Sequence, residues 1–147
     1  MVPMAKTGRL VGKKIDRYRF VEMIGKGSSG EVYRANDTRL MRDVAIKVFD
    51  PAMLRDPAIL ERFLKEARIQ ARLEHGNIVP IYDLIEQFRQ LLIVMRYVQG
   101  ETLRMRMERL GRPLEPKESL YFMRQVLEAV DFAHSKDLPV IYHGCGN

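Results

Sequence analysis

An α+β fold is predicted by three observations. Short extended runs crowd the first half of the chain, two long stretches carry apolar residues at helical spacing, and glycine or proline punctuates most boundaries. Residues 18–24 are apolar and aromatic and end at a glycine cluster. Residues 31–35 resume extended character before the turn signal Asn36-Asp37. Residues 44–49 form a β-branched run broken by Asp50-Pro51. These three strands are expected to form an antiparallel meander.

Residues 57–74 put Leu60, Leu64, Ala67 and Ala71 on one helical face, with Ile59, Phe63 and Leu73 beside them. Pro57 suits the first turn, and Gly76 is expected to stop the helix. Residues 78–86 and 91–98 read as a hairpin joined around 87–90. Thr102 is placed to cap a short helix over 103–110, closed by Gly111, and Pro116 opens a longer helix to residue 135. Leu120, Met123, Leu127, Val130 and Phe132 carry the apolar face of that last helix.

The 147 residues are 46% hydrophobic and 30% charged, a folded rather than disordered composition with room for one domain. The longest apolar run, Leu91 to Met95, is far too short to span a membrane. The single cysteine, Cys145, excludes an internal disulfide. Residues 1–14 lack the apolar core of a secretion signal, so a cytoplasmic protein is expected. The net charge of +6 is concentrated at the start: Lys6, Arg9, Lys13, Lys14, Arg17 and Arg19 face only Asp16, and the rest is nearly neutral. Residues 1–15 read as a flexible basic leader. No aromatic precedes Tyr18 to stack a base, so no nucleic-acid partner is expected.

The densest chemical signal is Gly25-Lys26-Gly27-Ser28-Ser29-Gly30-Glu31-Val32. Glycines let a backbone approach phosphate oxygens and leave N–H groups free to donate. A dinucleotide-binding turn requires a helix directly after the glycines, but a strand-like run follows here. No Gly-Lys-Ser/Thr ends the loop, so a Walker motif is excluded. A glycine-rich hairpin over a nucleotide remains, beside a plain hairpin turn. In Val44-Ala45-Ile46-Lys47, Ala45 and Lys47 share one strand face. A lysine there either snorkels out or finds an acid. Glu66 sits at the margin of the helical apolar face, with Lys47 or its i−4 neighbour Arg62 as partner.

Together these residues resemble the protein kinases, in their bacterial, eukaryotic-like serine/threonine branch. Ile24, Gly25, Lys26, Gly27, Ser28, Ser29, Gly30, Glu31 and Val32 resemble the glycine loop, and Lys47, with Ala45, matches the strand lysine of V-A-I-K. Glu66 matches the helix glutamate. Residues 73–79 resemble the L-x-H-x-N-I-V junction. Residues 93–100 resemble the adenine-holding hinge, with Met95 as gatekeeper followed by Arg96 and Val98. Ala133-His134-Ser135-Lys136 resembles the end of the helix before the catalytic loop. Gly30 to Lys47 spans 17 residues and Lys47 to Glu66 spans 19, in the family's order. Arg96 replaces the usual acidic hinge residue, and Ser29 a commoner larger one.

The resemblance implies an N-lobe over residues 16–98, a five-stranded antiparallel sheet plus one helix. Residues 99–147 would hold the hinge exit and two helices of an incomplete C-lobe. It implies ATP as ligand and ATP-dependent phosphorylation of protein Ser/Thr as the family reaction. The family's catalytic loop reads H-R-D-L-x-x-x-N, whereas His143-Gly144-Cys145-Gly146-Asn147 puts Cys145 at the aspartate's position. No D-F-G follows, so Mg2+ is expected only as carried by ATP, and the catalytic set is incomplete. A kinase-domain fragment that binds ATP without transferring phosphate is expected, with a protein substrate only if a C-lobe completes it. A regulatory pseudokinase and a non-functional gene remnant are the alternatives. Self-association through helix 116–135 is expected, because its apolar face lacks partners.

Overall fold

Side chains alternate along the strands and give the sheet two faces to bury, and the chain covers each differently. A computed structural model of the protein describes residues 8–87 and 90–136. The strands are β1 (Lys14–Ile15), β2 (Tyr18–Gly27), β3 (Gly30–Asp37), β4 (Arg42–Phe49), β5 (Ile81–Gln87) and β6 (Gln90–Arg96). A single turn of 3-10 helix, Met53–Arg55, leads from β4 into α1 (Pro57–Gln70); α2 (Leu103–Leu110) and α3 (Pro116–Ser135) follow β6. The strands form one antiparallel sheet in the order β1-β2-β3-β4-β6-β5.

The outer face buries Tyr18, Phe20, Tyr33, Ala35, Val44, Ile46, Val48, Leu92 and Val94, with Leu10 closing the cluster. The opposite face packs Phe49, Leu91 and Ile93 against Ala67 of α1, with Leu60, Phe63 and Leu64 around them. The Phe49 and Phe63 ring centroids are 4.9 Å apart. Each large side chain so buried contributes about 1.5–3 kcal/mol. Asp56 caps α1 by accepting from the Ala58 amide at 2.9 Å, and Pro57 occupies the first turn as expected.

Several expectations are corrected. The sheet has six strands, not five, because β1 turns through Asp16 (φ 50°) and pairs with the start of β2. The flexible leader does not extend through residues 8–15. Leu10 is buried, and the Gly12 amide donates to the Phe20 carbonyl at 2.9 Å. Gly76 does not stop α1. The helix ends at Gln70, and Ala71 leaves it in right-handed geometry with its amide bonded to Ala67.

The described residues divide into two compact units. Residues 8–72 with 80–97 form the first, and residues 73–79 with 98–136 the second. The junction 73–79, placed with the N-lobe by the sequence, thus belongs with α2 and α3. The His75 ring lies 5.1 Å from that of Phe132, and Asn77 donates to the Gln125 carbonyl at 3.3 Å. Both late helices keep their predicted bounds. Thr102 caps α2, Gly111 ends it at φ 62°, and Glu115 and Glu118 form a capping box on α3. Arg106 bridges Glu118 of α3 at 2.7 Å and Glu101 at 3.5 Å. Leu120, Met123, Val126 and Leu127 of α3 stay at least half exposed. Among the described residues, no helix is long and apolar enough to cross a membrane.

Candidate functional site

Strand register assembles the site on the helix-covered face of the first unit. Val32 of β3 stands directly opposite Lys47 of β4, and Lys47 opposite Ile93 of β6. Directly opposed residues share a face, so Val32, Lys47 and Ile93 form one row. Arg34, Ala45 and Met95 form the next. Val44 and Ile46 are buried in the outer cluster, so Ala45 and Lys47 share the face opposite them, as predicted. The Lys47 ammonium lies 5.0 Å from the centroid of the Phe49 ring, a cation–π distance.

The glycine motif forms a hairpin between β2 and β3. Gly27 pairs with Gly30 across the Ser28-Ser29 tip, and Gly25 pairs with Val32. Of the motif's glycines, only Gly30 is demanded by the fold: its φ is 145°, and a Cβ there would collide with the Val48 carbonyl. A Cβ on Gly25 would make ordinary contact with Val32 at 3.7 Å, and one on Gly27 would meet nothing within 4 Å. The protein's own packing therefore does not require glycine at 27.

Glu66 stands on α1 with its side chain 12% exposed and accepts from Arg62 Nε at 2.9 Å. The i,i+4 pairing weighed from the sequence is thus present. Ile24 is partly exposed at the base of the hairpin, beside the register shift between Met23 and Gly25. The Arg96 amide donates to the Pro80 carbonyl at 3.1 Å, while its side chain is exposed and reaches Tyr82. Val98 is exposed and belongs to the second unit. Cys145 lies outside the described residues. Among the described residues no three His, Cys, Asp or Glu side chains gather as a metal-holding group.

Lys26 and Glu31 are both in the hairpin but turn their side chains to the outer face, away from Lys47. They oppose each other in register, with Nζ and Oε1 at 3.4 Å. The Tyr33 hydroxyl donates to the other Glu31 oxygen at 2.6 Å. That bond, with Lys26 beside it, outweighs partial burial and holds the Glu31 carboxyl below its usual range. Burial and the Glu31 carboxylate push the Tyr33 phenol up to about 12. Sequence reading left Tyr33 unassigned, although its i+2 spacing from Glu31 puts both on one strand face. A second missed group is the fully buried Asp37, which accepts from the amides of Arg39 and Leu40 at 3.0 and 3.1 Å and from Arg17 at 3.4 Å. Arg17 also bridges Asp83 at 3.0 Å, where the Tyr18 hydroxyl donates at 3.2 Å.

An antiparallel sheet with one covering helix and a glycine hairpin joining β2 and β3 matches the amino-terminal lobe of a protein kinase domain. Over 85% of this chain it is similar to the crystal structure of the Mycobacterium tuberculosis PknI kinase domain, with a TM-score of 0.74 and 34% identity. The chain belongs to the protein kinase domain family, whose model matches residues 18–143. It is 42% identical over 130 residues to the serine/threonine-protein kinase PrkC of Bacillus subtilis, covering 88% of this chain and 20% of that protein. It is 36% identical over 125 residues to the serine/threonine-protein kinase PknD of Mycobacterium tuberculosis, covering 85% of this chain and 19% of that one. The chain thus spans about one fifth of these relatives and about half, 51%, of the PknI kinase-domain chain.

Proposed function

We propose that the first unit is the ATP-binding lobe of a serine/threonine protein kinase. The phosphates lie under the glycine hairpin, Lys47 meets them, and Glu66 holds the Lys47 ammonium toward them. Val32, from the Lys47 row, and Ala45 and Met95, from the neighbouring row, supply apolar surface for the base, and the main chain at Arg96 follows Met95 on β6. The observation that carries this reading is the row itself. Register sets Lys47 beside Val32 on the face that α1 covers, under a hairpin whose Gly27 has no packing reason to be glycine. Mg2+ arrives with the nucleotide. In a longer chain the family reaction, phosphorylation of protein Ser/Thr, follows; Cys145 at the position of the catalytic aspartate favours binding without transfer by these 147 residues.

Isothermal calorimetry with MgATP tests the reading on the wild-type chain and on Lys47→Met. A charge-assisted contact to phosphate is worth about tenfold or more in affinity. A Lys47→Met chain that binds ATP as well as wild type would refute the assignment of Lys47.

A further inference from the structure

We infer that Tyr33 and Glu31 are positioning residues for the glycine hairpin: the Tyr33 hydroxyl, wedged beneath residues 8–10, fixes the Glu31 carboxylate, which fixes Lys26 and so sets the hairpin over the nucleotide phosphates. The last step rests on the nucleotide reading above. The anchor is rigid. Tyr33 is wholly buried, its ring set edge-on to Phe20 with centroids 5.2 Å apart. On its other side, a Cβ added to Gly8 would lie 2.5 Å from the Tyr33 hydroxyl oxygen and 2.6 Å from Cε1. Only a bare backbone packs that closely on the ring. The segment is itself tied to β2, since Gly12 donates to the Phe20 carbonyl and Phe20 to the Lys13 carbonyl, both at 2.9 Å.

From this anchor the bonds run outward along one face. Tyr33 donates to Glu31 at 2.6 Å, and Glu31 meets Lys26 at 3.4 Å across the pair that precedes the Gly27–Gly30 closure. A buried phenol must place its proton, and a carboxylate is the strongest acceptor available to it. All three side chains lie on the outer face, opposite Lys47. The brace therefore grips the hairpin from behind and leaves the phosphate side bare.

Tyr33→Phe keeps the ring and removes only the hydroxyl. Amide hydrogen exchange on the nucleotide-free, 147-residue chain is expected to speed about tenfold across residues 25–31 and to stay unchanged across β5 and β6. Glu31→Gln, which keeps shape and gives up charge, is expected to do the same. Calorimetry then compares ATP with adenosine. The ratio of their affinities is expected to fall about fivefold in Tyr33→Phe, with adenosine binding unchanged. Hairpin exchange that is unaltered in both variants, or that rises equally in β5 and β6, overturns the brace. A loosened hairpin with an unaltered ATP-to-adenosine ratio overturns its role toward phosphates. A wild-type chain that binds neither compound overturns the nucleotide reading instead, and the exchange data still decide whether the brace exists.

Discussion

Gly30 lies so close to Val48 across β3 and β4 that no side chain fits between them, whereas Gly27, its partner across the hairpin, faces open space. The two glycines of one motif therefore answer to different demands. Gly30→Ala forces the hairpin off β4 and is expected to lower stability by roughly 1–3 kcal/mol. Gly27→Ala is expected to change stability by less than about 0.5 kcal/mol, yet to weaken ATP binding. Thermal melts paired with calorimetry check both, and a Gly27→Ala chain that melts early would show that the fold needs this glycine too.

Among the described residues of the first unit, Asp37 is the charge that is fully buried. Burial by itself would raise its pKa; the Leu40 and Arg39 amides and Arg17 outweigh that and hold it below 3.8. Glu31 is likewise held below 4.5. A carboxyl with a depressed folded pKa gives its full stabilisation above the unfolded value and loses it as pH falls through the folded one. Stability is thus expected to drop below about pH 4. Asp37→Ala, which strands two amides and a guanidinium, is expected to cost about 1–3 kcal/mol at neutral pH and to flatten that acid limb. Urea unfolding at a series of pH values is the measurement.

Tyr18 and Tyr33 titrate late, each pushed up to about 12 chiefly by burial. A raised folded pKa means stability that is intact below the unfolded value of 10.0 and lost as pH rises through about 12. Absorbance at about 295 nm is expected to show two of the six tyrosines ionising only as the chain unfolds. Tyr33→Phe should leave one; two late tyrosines in that variant would contradict the assignment.

The α3 face leaves Leu120 70%, Met123 56% and Leu127 59% exposed. A contiguous apolar strip of this kind promotes association. The chain is expected to self-associate with rising concentration, and serine at those three positions is expected to restore a monomer. Light scattering after size-exclusion reads the mass directly. A wild-type chain that stays monomeric at high concentration would dispose of this expectation.

With Cys145 where the family has its catalytic aspartate, incubation with labelled ATP and a basic protein is expected to give no label above a Lys47→Met control. Reproducible, Lys47-dependent labelling would contradict it.

Local chemistry alone settled much of this protein. The bounds of α2 and α3 follow from Thr102, Gly111 and Pro116, because caps act through bonds a few residues long. The meander order of the first strands follows from the short turns that join them, and the shared face of Ala45 and Lys47 follows from period-two alternation. Tertiary structure decided the rest. Lys26 and Glu31 sit among glycines that suggest phosphate contact, yet their side chains point to the outer face, because pairing between β2 and β3 assigns alternate residues to opposite sides. The basic residues of the start imply a solvated leader, yet Leu10 leaves water for a cluster built by residues up to 84 positions away in sequence. Asp37 reads as a turn residue, and the Arg39 and Leu40 amides it accepts from belong to that turn, but its complete burial depends on Arg17, 20 residues away, reaching its carboxylate. Contacts within a few residues are written in spacing. Contacts between distant segments depend on which face each strand turns inward, and that is settled only when the sheet closes.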